Sequence, residues 1–266
     1  MGTFTTSLVL ILIGFAMFYP IFFLAIDRSV DKGKGTRRFL QLNYIIHLLA
    51  GSSAVLLFWI YSINYPLQLS GTIYLIVIVV VVLYYWKSSI PRWNLFYASL
   101  VFGLLVFYRS FNEIVEITPL WPGIFTGILS AGAVSLVTLL IVSLFHTSIR
   151  KNAKKELIIS LVKYLSLVIG IRLAWDLVVL FNISVETRNG ELMSALMFFL
   201  QVDSLKLILL VLFGFIIPIL FIILIRKYMF DNLQKYKLWI YLILFISIWI
   251  AEFLYKYFLL QYGIVL

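Results

Sequence analysis

Residues 118–150 read TPLWPGIFTGILSAGAVSLVTLLIVSLFHTSIR, and no charged side chain occurs before Arg150. At a rise of about 1.5 Å per residue, a helix of this length crosses a bilayer core of about 30 Å. Trp121 suits the headgroup level at one end, and further basic residues follow Arg150 at the other. Gly123 and Gly127 are spaced four apart, so a neighbouring helix can approach closely. The stretch therefore predicts a transmembrane helix that ends in the cytoplasm.

The composition of the whole chain is that of a membrane protein. Of its 266 residues, 64% are hydrophobic and 12% are charged, against about 45–50% and about 25% in soluble domains. The net charge is +10, but the Lys and Arg residues lie mainly in short segments between apolar runs. That distribution is typical of cytoplasmic loops that orient a membrane protein and contact membrane lipids, and it disfavours nucleic acid as a partner. We therefore predict an all-α integral membrane protein.

Hydropathy divides the chain into eight predicted spans. The loops after the first, third, fifth and seventh spans are basic, whereas the loops between them are neutral or acidic, so alternate loops are predicted to be cytoplasmic. We therefore predict a bundle of eight transmembrane helices, with residues 1–266 as one polytopic domain and both termini outside the cytoplasm. The abundance of Ile and Lys favours a prokaryotic cell membrane. The predicted spans are 7–26, 39–63, 69–86, 93–111, 119–147, 156–183, 193–225 and 238–262.

The chain has no cysteine and two histidines, His47 and His146. It therefore forms no disulfide and cannot ligate an iron–sulfur cluster through thiolates. The histidines are candidate haem ligands, but their predicted depths in the membrane differ. We therefore favour a hydrogen-bonded His47 and an interfacial His146, and expect no metal or haem in this chain. His47 is also a candidate for proton transfer.

Charged side chains inside predicted spans point to a site, because each costs at least about 2.5–3.5 kcal/mol to insert. One interpretation is that they are paired interfacial charges that hold helices together. The other is a polar pocket near the outer membrane face, because four helices carry charge at a similar depth. Arg172–Asp176 and Glu252–Lys256 are each spaced i,i+4 and can neutralise each other. The residues concerned are Arg109, Arg172, Asp176, Asp203, Lys206, Glu252 and Lys256.

Three segments resemble NrfD-like proteins, the membrane subunits of polysulfide reductase and related molybdopterin oxidoreductases. Residues 104–132, LLVFYRSFNEIVEITPLWPGIFTGILSAG, resemble the family's tyrosine-bearing helix, outer loop and Gly/Ser-rich helix. Residues 213–227, FGFIIPILFIILIRK, resemble its Gly-rich helix with a proline before a basic end. Residues 250–263, IAEFLYKYFLLQYG, resemble its final helix, with Lys256 where the family more often has arginine.

The resemblance implies a quinone-reactive membrane anchor that carries no haem. Such an anchor receives a ferredoxin-like iron–sulfur subunit, and through it a molybdopterin catalytic subunit, on its outer face. Tyr108 matches the tyrosine that in this family reaches the quinone head, with menaquinone or a similar quinone as cofactor. From depth and charge we add Arg109, Asp203 and Lys206 as quinone contacts. The same reasoning makes Arg172, Asp176, Glu252, Lys256 and His47 proton-transfer candidates.

The sequence is also compatible with two other functions. The first is a haem b-binding anchor that uses His47 and His146. The second is a structural or transport subunit without a redox role, including one like oxidase subunit III. The predicted spans show no unwound centre, which counts against a transporter. No motif for hydrolysis or group transfer occurs, so we expect a non-catalytic or quinone-reactive subunit of an oxidoreductase complex.

Overall fold

A computed structural model shows an all-helical bundle with one short hairpin. The structure describes residues 3–26, 34–61, 65–86, 93–114, 121–145, 151–186, 192–229 and 239–266. The two strands, β1 (Ser184–Glu186) and β2 (Leu192–Ser194), pair in antiparallel fashion. The helices are α1 (Thr3–Ile26), α2 (Lys34–Tyr61), α3 (Tyr65–Tyr85), α4 (Trp93–Ile114), α5 (Trp121–Phe145), α6 (Lys151–Asn182), α7 (Ala195–Val202), α8 (Ser204–Val211), α9 (Ile217–Met229) and α10 (Trp239–Tyr262).

Seven helical segments in the described part of the chain are long and apolar enough to cross a membrane. This confirms a multi-pass all-α membrane protein. The segments lie in α1, α2, α3, α5, α6, the combined stretch α8–α9, and α10. Helix α4 covers the predicted fourth span but is not among the seven, and its last turns carry Arg109, Asn112 and Glu113. The basic loops used to predict the orientation lie only partly within the described residues. Residues 27–33, 87–92, 146–150 and 230–238 are outside them, whereas the remaining basic residues of these loops belong to the ends of α2, α6 and α9.

Helix α5 lies at the centre of the bundle and packs against α1, α4, α6 and α10. Small residues on one face of α5 make this packing possible. If Gly127 carried a Cβ atom, that atom would lie 2.6 Å from Phe107 Cζ of α4. Likewise, a Cβ atom on Gly14 of α1 would lie 3.0 Å from the Cβ of Ala131. The close helix approach expected from Gly123 and Gly127 is therefore confirmed, since Phe111 also packs against both.

The predicted seventh span, 193–225, is not the single unbroken helix that the sequence suggested. It is interrupted at Asp203, whose backbone leaves the helical region (φ −147°, ψ 45°) between α7 and α8. A π-helical turn, Leu212–Ile216, then separates α8 from α9. No proline or glycine marks the break at Asp203, so hydropathy could not reveal it. Side chains of α10, described below, hold the interrupted segment in place.

The chain turns back into the bundle after α10. Gly263 has φ +68°, a conformation that favours glycine, and its N–H donates to the Leu259 carbonyl at 3.0 Å. Ile264, Val265 and Leu266 are then buried. We call the end of the bundle where α5 begins and α10 finishes the Trp121 end, and the candidate site lies beneath it.

Candidate functional site

Four ionisable side chains are buried together beneath the Trp121 end. Arg172 and Asp176 come from α6, Glu252 and Lys256 from α10, and all four are only 2–5% exposed. From the helix rise they lie about 9–15 Å below the helix ends. We call this set the charged cluster. Its burial follows from the i,i+4 spacing, which places each pair on one helix face, and from the packing of both helices against α5.

The guanidinium of Arg172 donates to three acceptors on two parts of the chain. Its Nη1 donates to the Thr126 carbonyl at 2.9 Å and to Ser130 Oγ at 2.8 Å, both on α5. Its Nη2 donates to the backbone oxygen of Leu266 at 2.7 Å. A buried cation in an apolar bundle requires such acceptors, because desolvation would otherwise displace it. The segment after α10 therefore completes the environment of this arginine.

Tyr255 joins the two helices of the charged cluster. Its hydroxyl donates to Asp176 Oδ2 at 2.7 Å, and the Arg172 guanidinium lies 3.6 Å from its ring centroid. Arg172 Nε is 3.6 Å from Asp176 Oδ1, so the ion pair predicted from the spacing is formed. Gly214 of the π-helical turn leaves room for the tyrosine, since a Cβ there would lie 3.2 Å from the Tyr255 hydroxyl. Tyr255 carries no signal in the sequence that marks it as part of a site, because a tyrosine in an apolar helix is more often an interface anchor.

Glu252 and Lys256 do not neutralise each other directly. Among the described residues, no ion pair within 4.0 Å joins them. Lys256 Nζ instead hydrogen-bonds to Ser130 Oγ at 3.4 Å and lies 5.5 Å from the Phe111 ring centroid. Glu252 Oε2 is buried without a hydrogen-bond partner in the part of the chain that the structure describes. Ser130 therefore connects the cations of α6 and α10.

A second polar cluster surrounds the break at Asp203. Lys206 Nζ donates to Asp203 Oδ2 at 2.8 Å and to the Tyr257 hydroxyl at 2.7 Å. The hydroxyls of Tyr257 and Tyr262 donate to the same carboxylate oxygen at 3.2 and 2.8 Å. We call these four residues the Asp203 cluster. Burial alone would raise the pKa of Asp203, but the hydrogen bonds from Lys206, Tyr262 and Tyr257 outweigh it and hold the pKa below its ordinary value.

Arg109 lies at a pocket between α3 and α4. The pocket has a volume of about 200 Å³, and only Ser70 and Arg109 among its lining residues are polar. Both lie about 7.5 Å from the helix ends nearest the Trp121 end. Tyr108 is 50% exposed and does not line this pocket. We call it the α3–α4 pocket; its remaining lining residues are Ile73, Phe102, Leu105 and Val106.

The four residues predicted to contact quinone fall on two sides of the bundle. Helix α4, with Tyr108 and Arg109, packs against α1, α3 and α5. Asp203 and Lys206 belong to the interrupted segment, and α8 packs against α10. The charged cluster reaches α4 through Lys256, whose Nζ lies 5.5 Å from the Phe111 ring centroid. The predicted proton-transfer residues of α6 and α10 thus lie together in the structure, whereas the predicted quinone contacts lie in two separate places.

His47 is fully buried in α2, away from the charged cluster. Neither ring nitrogen meets strict hydrogen-bond geometry with a partner among the described residues, although the backbone of Ala16 in α1 lies within hydrogen-bonding reach of the ring. One turn earlier, Asn43 accepts a hydrogen bond from the Tyr19 hydroxyl at 2.6 Å. His146 lies outside the described residues, so its relation to His47 stays a prediction.

Metal ligands do not gather anywhere in the described ranges, where no three His, Asp or Glu side chains could hold an ion together. The site offers hydrogen-bond donors, carboxylates and a pocket at the bundle surface. Comparison of the chain with protein-family models, with curated proteins and with solved structures finds no match.

Proposed function

We propose that this chain is the membrane-anchor subunit of a respiratory oxidoreductase complex and binds quinone or quinol near the outer membrane face. The observation that carries this proposal is the α3–α4 pocket, about 200 Å³ of mostly apolar space with Arg109 at its polar end. Pockets that enclose whole ligands occupy about 300–1,000 Å³. A quinone head group requires less, because its isoprenoid tail stays in the lipid. Arg109 and Ser70 supply hydrogen-bond donors for a ring carbonyl.

The charged cluster supports the proposal because quinone reduction and quinol oxidation move protons. Asp176 and Glu252 are carboxylates that can take up and release a proton, whereas Arg172 stays charged. Lys256, close to the Phe111 ring, is the member of the cluster next to α4. His47 provides a further proton-transfer candidate on α2. Burial of these groups is costly, and a proton-handling role gives a reason for that cost.

The electrons would come from a partner. The chain has no cysteine, so an iron–sulfur cluster held by thiolates must belong to another subunit. The partners we propose are a ferredoxin-like iron–sulfur subunit and, beyond it, a molybdopterin catalytic subunit. Menaquinone or a similar quinone is the proposed cofactor, in a prokaryotic cell membrane.

The proposed topology has eight spans, with α4 as the additional one and α8–α9 as the seventh. Both termini and the Trp121 end then face outward. This places the α3–α4 pocket, the charged cluster and the Asp203 cluster near one membrane surface. It also places Asp203 and Lys206 where an outer partner subunit or a quinone head could reach them.

Binding of a quinone analogue to the purified full chain in nanodiscs tests the proposal. Arg109→Leu should weaken binding at least tenfold, a change of about 1.4 kcal/mol. The matched control is Arg226→Leu, which removes another exposed arginine, one that donates to Ser166 Oγ at 3.1 Å on α6. The control should bind like the unchanged protein. No binding by the unchanged protein would contradict the proposed function, and co-purification of a ferredoxin-like chain would support it.

His47 favours a second candidate, a haem b anchor, because its imidazole is fully buried and bonds to no side chain in the described part. A Soret band in the purified complex that disappears in His47→Ala would replace the first proposal with this one.

The break at Asp203 favours a third candidate, a subunit without a redox role, since interrupted helices are a common feature of transporters. Substrate uptake by proteoliposomes that depends on Asp203, together with no quinone binding, would select it.

A further inference from the structure

A small cavity lies within the charged cluster, between α5, α6, the π-helical turn and α10. Its volume is about 20 Å³, and a buried water needs about 10–15 Å³ of such space. Arg172 and Glu252 both line it, whereas most of the remaining lining is apolar, including Ala133 and Ala251. The cavity is therefore of the size of one water and has a cation and a carboxylate in its wall.

Three polar atoms of the cluster have no hydrogen-bond partner among the described residues. They are Arg172 Nε, Asp176 Oδ1 and Glu252 Oε2. The first two are 3.6 Å apart, which is long for a direct hydrogen bond. An unsatisfied buried polar atom costs about 1–3 kcal/mol, and more when it is charged. Arg172 and Glu252 line the water-sized space, so Arg172 Nε and Glu252 Oε2 supply one donor and one acceptor, and an ordered water needs at least two such partners.

We propose that this cavity is a binding site for one ordered water that links α6 to α10. The water accepts a hydrogen bond from Arg172 Nε and donates one to Glu252 Oε2. The site goes beyond the proposed function, because it follows from the cluster and the cavity whether or not a quinone binds.

Variants at Ala133 test the site. Ala133→Val adds two methyl carbons to the wall of the cavity and should displace the water, whereas the control Ala133→Ser leaves space for it. We expect a density peak within hydrogen-bonding distance of Arg172 Nε and Glu252 Oε2 in water-resolving maps of the full chain in nanodiscs. The peak should persist in the serine variant and disappear in the valine variant. A direct bond between Arg172 and Glu252 with no peak between them would overturn the proposal, as would a peak unchanged by valine. The measurement involves no quinone, so a failure here is distinguishable from a failure of the proposed function.

Discussion

Replacing Asp176 by leucine tests how strongly the charged cluster is held together by its own charges. Asp176 Oδ1 lies 3.6 Å from Arg172 Nε, and Asp176 Oδ2 accepts a hydrogen bond from the Tyr255 hydroxyl at 2.7 Å. Two unit charges at that separation attract by about 4–5 kcal/mol at an effective dielectric constant of about 20. Loss of one partner from a buried ion pair typically costs about 3–5 kcal/mol. We expect Asp176→Leu to lower the free energy of unfolding by that amount.

A double-mutant cycle isolates the pairwise part of this effect. In Arg172→Met/Asp176→Leu the uncompensated cation is gone, so the double variant should be about 2–3 kcal/mol more stable than the sum of the two single changes predicts. The assay is reversible unfolding in mixed detergent–SDS micelles, followed by tryptophan fluorescence. If the two single effects add within about 0.5 kcal/mol, Arg172 and Asp176 are not energetically coupled and the charged cluster is not held together by this ion pair.

The matched control is the Asp203–Lys206 pair. Its N–O distance is shorter, 2.8 Å, but the Lys206 side chain is 37% exposed. Solvent screening should therefore reduce its coupling energy to about 1 kcal/mol or less. If burial and not distance decides the strength of these pairs, the longer pair in the core shows the larger coupling. A larger coupling energy for Asp203–Lys206 would contradict the idea that burial strengthens the Arg172–Asp176 pair.

Three further predictions use the same unfolding measurement. Tyr255→Phe should cost about 0.5–2 kcal/mol, because Asp176 loses its hydroxyl donor; an unchanged stability would mean that the hydrogen bond contributes nothing. Gly127→Ala should cost about 1–3 kcal/mol through the 2.6 Å approach to a phenylalanine ring, whereas Gly170→Ala, with open space around its Cβ, should be neutral or stabilise by up to about 1 kcal/mol; equal effects would contradict the packing of α4 on α5. The lowered pKa of Asp203 means that its contribution to stability is complete above the ordinary carboxyl pKa and is lost as the pH falls toward the lowered one. Below about pH 4 the stability should therefore fall more steeply in the unchanged protein than in Asp203→Asn.

The amino-acid sequence by itself determined that this is a multi-pass helical membrane protein, because the length and hydropathy of each apolar run are local properties. It also determined which charges share a helix face, since the i,i+4 spacing of Arg172 and Asp176 is independent of the rest of the fold. The close packing of α5 was predictable for the same reason, from small residues four apart.

The tertiary structure alone decided which partners those charges have. The Nη atoms of Arg172 donate to Ser130 of α5 and to Leu266, residues 42 and 94 positions away along the chain. The break at Asp203 likewise depends on tyrosines of α10, which hydropathy in a local window does not take into account. Lys256 bonds to Ser130 and not to Glu252, although the spacing favoured the pair. Periodicity predicts the face on which a residue lies, whereas its contacts depend on which helix packs against that face.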